Sequence, residues 1–127
     1  MTAAPEFRVV CLCADWCGVC REYAAAFRSV AGQFPAVAFH WLDIEGQADE
    51  LGDLDVENFP TLLIGRREEV LFYGTMPPAP AHLKRTLEAF LQQTREESRE
   101  YAFSSVERRC WQDDADLRRL ATGAEGS

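Results

Sequence analysis

The sequence predicts an α/β fold with elements in the order βαβαββα, and three observations carry that expectation. An apolar, β-favouring run from Phe7 to Ala14 leads directly into a segment of helical periodicity. A second apolar run, Val37 to Ile44, shows little polar alternation, as in a strand covered on both faces. Two short strands joined by a polar connection then precede a final amphipathic helix.

From Gly18 to about Gln33 the apolar residues Cys20, Tyr23, Ala24, Phe27, Val30 and Ala31 recur at helical spacing, and Pro35 ends the helix. Glu45 to Asp55 reads as a short acidic helix with Leu51 and Leu54 inward. Thr61 to Ile64 is a third strand, Arg66 to Glu69 a polar connection, and Val70 to Tyr73 a fourth strand ending at Gly74. The first two units are expected to give parallel strands with crossover helices, and the last two strands a hairpin. After a Pro-rich loop, Thr75 to Pro80, a helix is expected from Ala81 to Arg95, with Leu83, Leu87, Phe90 and Leu91 on one face.

The expected division is a domain over residues 1–95 and an extension over 96–127. The extension carries Tyr101, Phe103, Val106, Cys110, Trp111, Leu117 and Leu120, which are costly to leave in water, so part of it should pack on the core. A helix is expected around Asp113 to Leu120, capped by Asp113 or Asp114 and with Arg118 and Arg119 at its C-terminal end. Gly123 to Ser127 reads as disordered.

Composition narrows the function. With 127 residues, one domain with a real core is expected. A formal net charge of −8 argues against a nucleic-acid or anionic-membrane surface. The acidic crowd between Asp43 and Glu57, with no Lys or Arg, reads as a solvated face. No run has the length of a membrane span, and residues 1–6 lack the basic start of a secretory signal. Five cysteines without such a signal suggest a reducing, cytoplasmic compartment, where Cys-x-x-Cys is more often catalytic or metal-binding than a structural staple.

The chemistry is concentrated in Trp16-Cys17-Gly18-Val19-Cys20, at the junction of the first strand and the first helix. A thiol at a helix N-terminus sits where unpaired N–H groups and the helix dipole favour an anion, and the thiolate is the attacking form. A second thiol one turn on can resolve a mixed disulfide. A second signal is Phe59-Pro60-Thr61, a Pro at the start of a strand that reads as central.

Together these motifs resemble the thioredoxin family. The resemblance implies a three-layer core without the strand and helix that usually precede it, and with a C-terminal extension in their stead. It implies that Cys17 is the nucleophile and Cys20 the resolving thiol. Gly18, Val19 and Trp16 would lie where a client docks, although Val19 replaces the family's common Pro. It further implies a cis Pro60 facing the thiols, with Phe59 and Gly74 beside the same groove, where a client chain adds as a short strand. The partners would be a protein disulfide and an upstream electron donor, with no organic cofactor. The family's usual buried Asp and its Lys partner fall here on Cys11 and Trp41.

Alternatives remain at this point. Cys11 and Cys13 lie two apart on a strand and share a face. They are two small buried hydrophobes, or one of them is a third redox thiol, or the four thiols Cys11, Cys13, Cys17 and Cys20 hold a metal ion. The fold could also serve as a protein-binding module with little turnover. His40 and His82 have no motif support, and Cys110 has no assigned role.

Overall fold

The computed structural model describes residues 6–14, 17–52, 54, 56, 58–77 and 79–122. The strands are β1 (Phe7–Cys13), β2 (Ala38–Asp43), β3 (Thr61–Arg66) and β4 (Glu69–Thr75). The helices are α1 (Gly18–Gln33), α2 (Ala48–Leu51), α3 (Pro80–Leu91), α4 (Arg95–Ala102), α5 (Val106–Asp113) and α6 (Ala115–Thr122). The βαβαββα order expected from the sequence is present, followed by three short helices. The expected disorder at Gly123 to Ser127 lies outside the described residues.

The sheet runs β2-β1-β3-β4. β1 and β2 are parallel, joined through α1, as expected. The second unit differs from expectation, because β3 is antiparallel to β1. The reason lies in the connection. β2 ends at Asp43, level with Cys13, and β3 starts at Thr61, level with Leu12. The chain thus leaves and re-enters the sheet at the same end. Its helix among the described residues, α2, has four residues and rises only about 6 Å, too little to carry the chain back along the sheet.

Strand alternation builds two cores. Val9, Cys11 and Cys13 face one way, into a cluster with Cys20, Tyr23 and Phe27 of α1 and Leu83 and Leu87 of α3. Val10 and Leu12 face the other way, with Leu42, Leu63 and Val70, and there Leu117, Leu120 and Ala121 of α6 cover them. Leu51 and Leu54 pack against this second cluster, in line with their inward assignment.

The segment after Leu91 departs from the single helix expected to reach Arg95. Helix α3 stops at Leu91, and Thr94 opens α4 with a reciprocal capping box to Glu97. Ser105 caps α5 by accepting from the Arg108 N–H. Asp114 then ends α5 and starts α6, its Oδ1 accepting from the N–H groups of Asp116 and Leu117 at 3.0 and 3.1 Å. The helix expected around Asp113 to Leu120 is therefore α6, with Asp114 as its cap and Arg119 in its last turn, as expected.

Two polar clamps hold this helical cover. Arg66, on β3, pairs with Glu6, donates to the Gln93 carbonyl at 3.1 Å and to Ser98 Oγ at 2.8 Å, and lies over the Phe7 ring. Gln112, on α5, uses both ends of its buried amide on one residue of β4. Its Oε1 accepts from the Val70 N–H at 2.8 Å, and its Nε2 donates to the Val70 carbonyl at 2.7 Å. The side chain thus stands in for a neighbouring strand at that point.

Helix α6 reaches the sheet where β3 has no side chain. A Cβ on Gly65 would lie 2.4 Å from the Ala121 carbonyl oxygen. We expect Gly65→Ala to lower stability by about 1–3 kcal/mol, because a backbone atom has to move. Urea denaturation checks this, and an unchanged midpoint would show that α6 does not rest on β3 as described.

Candidate functional site

The register gathers the signalled residues at one end of the sheet. Cys13 ends β1, Asp43 ends β2, Pro60 precedes Thr61 at the start of β3, and Gly74 lies one residue from the end of β4. The chain leaves β1 at this end and turns into α1. The Cys17 N–H donates to the Ala14 carbonyl at 3.0 Å, and Cys17 becomes the N-cap of α1. Its carbonyl accepts the first helical bond, from the Arg21 N–H at 3.1 Å. Its side chain makes no capping hydrogen bond. The thiol is unbonded, half-buried, and packed at the border of the first core cluster.

Cys20 lies one turn further, on the inner face of α1, and is 1 % exposed. Here the structure departs from the expected Cys17–Cys20 pairing. Cys20 is bonded to Cys13, with Cα atoms 5.8 Å apart, and Cys17 is free. The cause is geometric. The first turn of α1 points Cys20 down onto the end of β1, where strand alternation aims Cys13 at the same face. Sequence reasoning left open which of Cys11 and Cys13 would matter. The available signal was position, since Cys13 is the last residue of β1 and therefore nearest the start of α1.

Cys11 lies deeper. Its Sγ is 3.7 Å from that of Cys13, and since Cys13 is bonded, Cys11 supplies the S–H of that contact. Burial pushes the Cys11 thiol from 9.0 up to about 12. Its cross-strand neighbour is Trp41, so the two positions noted in the sequence are adjacent in space. Trp41 stacks edge-on against Phe27, 5.6 Å between ring centroids. No carboxylate–ammonium pair occupies this spot. Tyr23, also in this core, is raised by burial and then by the neighbouring Cys11 charge. Its hydroxyl has no hydrogen-bond partner among the described residues.

These shifts predict alkaline lability. A thiol whose folded value is raised keeps a proton that the unfolded chain gives up, so the native state is favoured below the unfolded value of 9.0. That contribution is lost as pH climbs through the folded value of about 12. The wild-type urea midpoint should therefore fall more steeply above about pH 9 than that of Cys11→Ala. Equal slopes would show that Cys11 ionises as freely in the fold as outside it.

The remaining predicted residues are placed as follows. Gly18 and Val19 are exposed, and with Arg21 and Glu22 they line a shallow depression beside Cys17. The Phe59–Pro60 bond is cis, Pro60 is buried, and Phe59 rests on the same core cluster as Cys17. Thr61 Oγ1 donates to the Asn58 carbonyl at 2.5 Å, closing the loop before β3. Gly74 sits opposite Leu62, and a Cβ there would meet only Phe72, at 3.7 Å, so packing alone does not demand glycine. Trp16 lies outside the described residues. With Cys13 and Cys20 bonded to each other, the four thiols do not form a ligand set, and no group of three or more His, Cys, Asp or Glu converges among the described residues.

A free thiol at a helix N-cap, a cis proline at the same end of the sheet and a buried disulfide beneath make up the site. The family model for thioredoxin matches residues 2–93, and the chain belongs to the thioredoxin family. It is similar to a putative thioredoxin 2 of Streptomyces coelicolor, 29% identical over 76 residues, covering 58% of this chain and 57% of that protein. It is also similar to thioredoxin H2-1 of Oryza sativa subsp. japonica, 34% identical over 61 residues, covering 48% of this chain and 44% of that one. The chain thus spans about half the length of the curated relatives it matches. The crystal structure of thioredoxin from Trypanosoma brucei brucei has the same fold, with a TM-score of 0.62 and 24% identity over 70% of this chain and 78% of that one. No helix among the described residues is long and apolar enough to cross a membrane.

Proposed function

We propose that this chain is a thiol–disulfide oxidoreductase acting on protein disulfides, in which Cys17 attacks and Cys20 resolves. The observation that carries this reading is the unbonded, half-buried Cys17 thiol at the N-cap of a sixteen-residue helix. The first N–H groups of such a helix have no intrahelical partner and stabilise an anion. The Cys17 thiolate attacks one sulfur of the client bond, the other client sulfur leaves as thiolate, and a mixed disulfide remains. In the reduced chain the Cys20 thiolate then attacks Cys17 Sγ and releases the client. Pro60, Phe59, Gly74, Gly18 and Val19 would frame the client segment, and Trp16, next to Cys17 in the sequence, is proposed to contact it. An upstream dithiol donor restores the reduced state, and no organic cofactor takes part. A cytoplasmic setting suits a dithiol that must be kept reduced. In this proposal residues 1–95 carry the chemistry and 96–127 provide cover for the sheet.

A second reading has one observation behind it. While Cys20 is bonded to Cys13 it cannot resolve a mixed disulfide, so a client caught by Cys17 would be held rather than turned over. Turnover of insulin disulfides with dithiothreitol decides between the two. Catalysis above the dithiothreitol background supports the oxidoreductase, and a stoichiometric adduct without catalysis supports the binding module.

A further inference from the structure

We propose that Cys13 is a third redox thiol, the internal acceptor that takes the disulfide from Cys17–Cys20 into a buried Cys13–Cys20 bond, so that the oxidised chain again presents a free Cys17. This rests on the reading of Cys17 as the attacking thiol. Cys20 stands between two thiols. Cys17 lies three residues before it at the border of the core, and Cys13 lies on its inner side with a Cα separation of 5.8 Å, well inside the range disulfides span. Cys13 and Cys20 are each 1 % exposed, whereas Cys17 is half-buried and unbonded.

The steps balance. After the client is released, the Cys17–Cys20 bond holds the two-electron oxidation. The Cys13 thiolate attacks Cys20 Sγ, the Cys13–Cys20 bond forms, the Cys17–Cys20 bond breaks, and Cys17 leaves as a thiolate. The proton lost by Cys13 goes to Cys17 or to solvent. No electrons are gained or lost in this step, since it is an isomerisation of one disulfide. The inward direction places the bond between two side chains that are each 1 % exposed and leaves the half-buried Cys17 as the free thiol. Reduction runs the step backwards. Cys17 attacks Cys20 Sγ, the disulfide returns to the surface, and an external dithiol reduces it there. Cys11 is not the acceptor, because it lies two residues further back along β1 and is bonded to nothing, whereas Cys13 reaches Cys20.

The chain carries its own means of testing this. Trypsin cleaves after Arg8 and Arg21, and an Asp-specific protease cleaves before Asp15. The products are Val9–Ala14, with Cys11 and Cys13, and Asp15–Arg21, with Cys17 and Cys20. The full-length reduced protein is oxidised with the aromatic disulfide dithionitrobenzoate, free thiols are blocked with N-ethylmaleimide, and the peptides are mapped by mass. We expect the two peptides to be joined through Cys13 and Cys20, with the label on Cys11 and Cys17. An unlinked Asp15–Arg21 peptide with an internal disulfide, beside a doubly labelled Val9–Ala14, overturns the proposal. In Cys13→Ala the oxidised protein should label at Cys17 about tenfold less than wild type, because the bond then has to stay at Cys17–Cys20. Unchanged Cys17 labelling overturns it. In Cys17→Ser the Cys13–Cys20 bond should form about tenfold more slowly, since the buried thiols do not meet the oxidant. An undiminished rate would make the bond a structural staple rather than the product of transfer. Insulin turnover separates this from the parent reading. A catalyst that shows only Cys17–Cys20 keeps its function and loses the relay. A chain with the buried bond but no turnover loses both.

Discussion

Cys17→Ser should bring insulin reduction down to the rate of dithiothreitol alone, while Cys20→Ser should still attack and then accumulate as a mixed disulfide. The asymmetry follows from placement. Cys17 is the motif thiol that a client can meet, because it caps α1 and is half-buried, whereas Cys20 faces inward at 1 % exposure. A serine hydroxyl at position 17 cannot form the mixed disulfide, so no later step begins. A serine at position 20 leaves the first step intact and removes the intramolecular resolution. Non-reducing electrophoresis of the Cys20→Ser protein with a disulfide client reads the adduct directly. Turnover by Cys17→Ser above the dithiothreitol background would transfer the attacking role to another thiol.

The second large effect should come from the far side of the sheet. A chain ending at Asp113 lacks α6 and uncovers Val10, Leu12, Leu63 and Val70, which are now completely buried. Leu117 and Leu120 are each 3 % exposed, and cutting one buried Leu to Ala costs about 2–5 kcal/mol. A whole domain has only about 5–15 kcal/mol of stability, so the shortened chain should not fold cooperatively. Leu120→Ala gives the graded version, with a loss of about 2–5 kcal/mol in urea denaturation and Cys17 labelling unchanged below the transition. A shortened chain as stable as the full one would show that this helix serves something other than the fold.

Much of the architecture could be read from local signals. Short apolar runs and helical periodicity located β1, α1, β2 and the final hairpin, and the Cys-x-x-Cys and Phe-Pro-Thr motifs marked the end of the sheet where the site lies. What escaped was set by relations between elements. The direction of β3 depends on how far the 44–60 connection travels, and an acidic stretch with two inward leucines does not reveal that α2 has only one turn. The breaks in the C-terminal helices were written in the sequence, as Thr94 with Glu97 and as Ser105, but apolar periodicity alone runs across them. The partner of Cys20 depends on the rotation of the first turn of α1 over β1. Strand alternation put Cys11 and Cys13 on one face and could not say which of them that turn would meet. Gln112 carries no signal at all, since an amide becomes a clamp only where the fold brings a strand edge within its reach.

That clamp bears on how copies of the chain can meet. A strand edge with free N–H and C=O groups recruits another strand, and a sheet open at both margins can go on adding copies into a filament. Here β4 lies beneath α4, α5 and α6, and at Val70 both backbone groups are already taken by Gln112. Both β2 and β4 are edge strands of the sheet, and the clamp closes the β4 margin at Val70. The amide of Gln112 thus acts as a local stopper on the β4 margin, taking at Val70 the hydrogen bonds that an added strand would need.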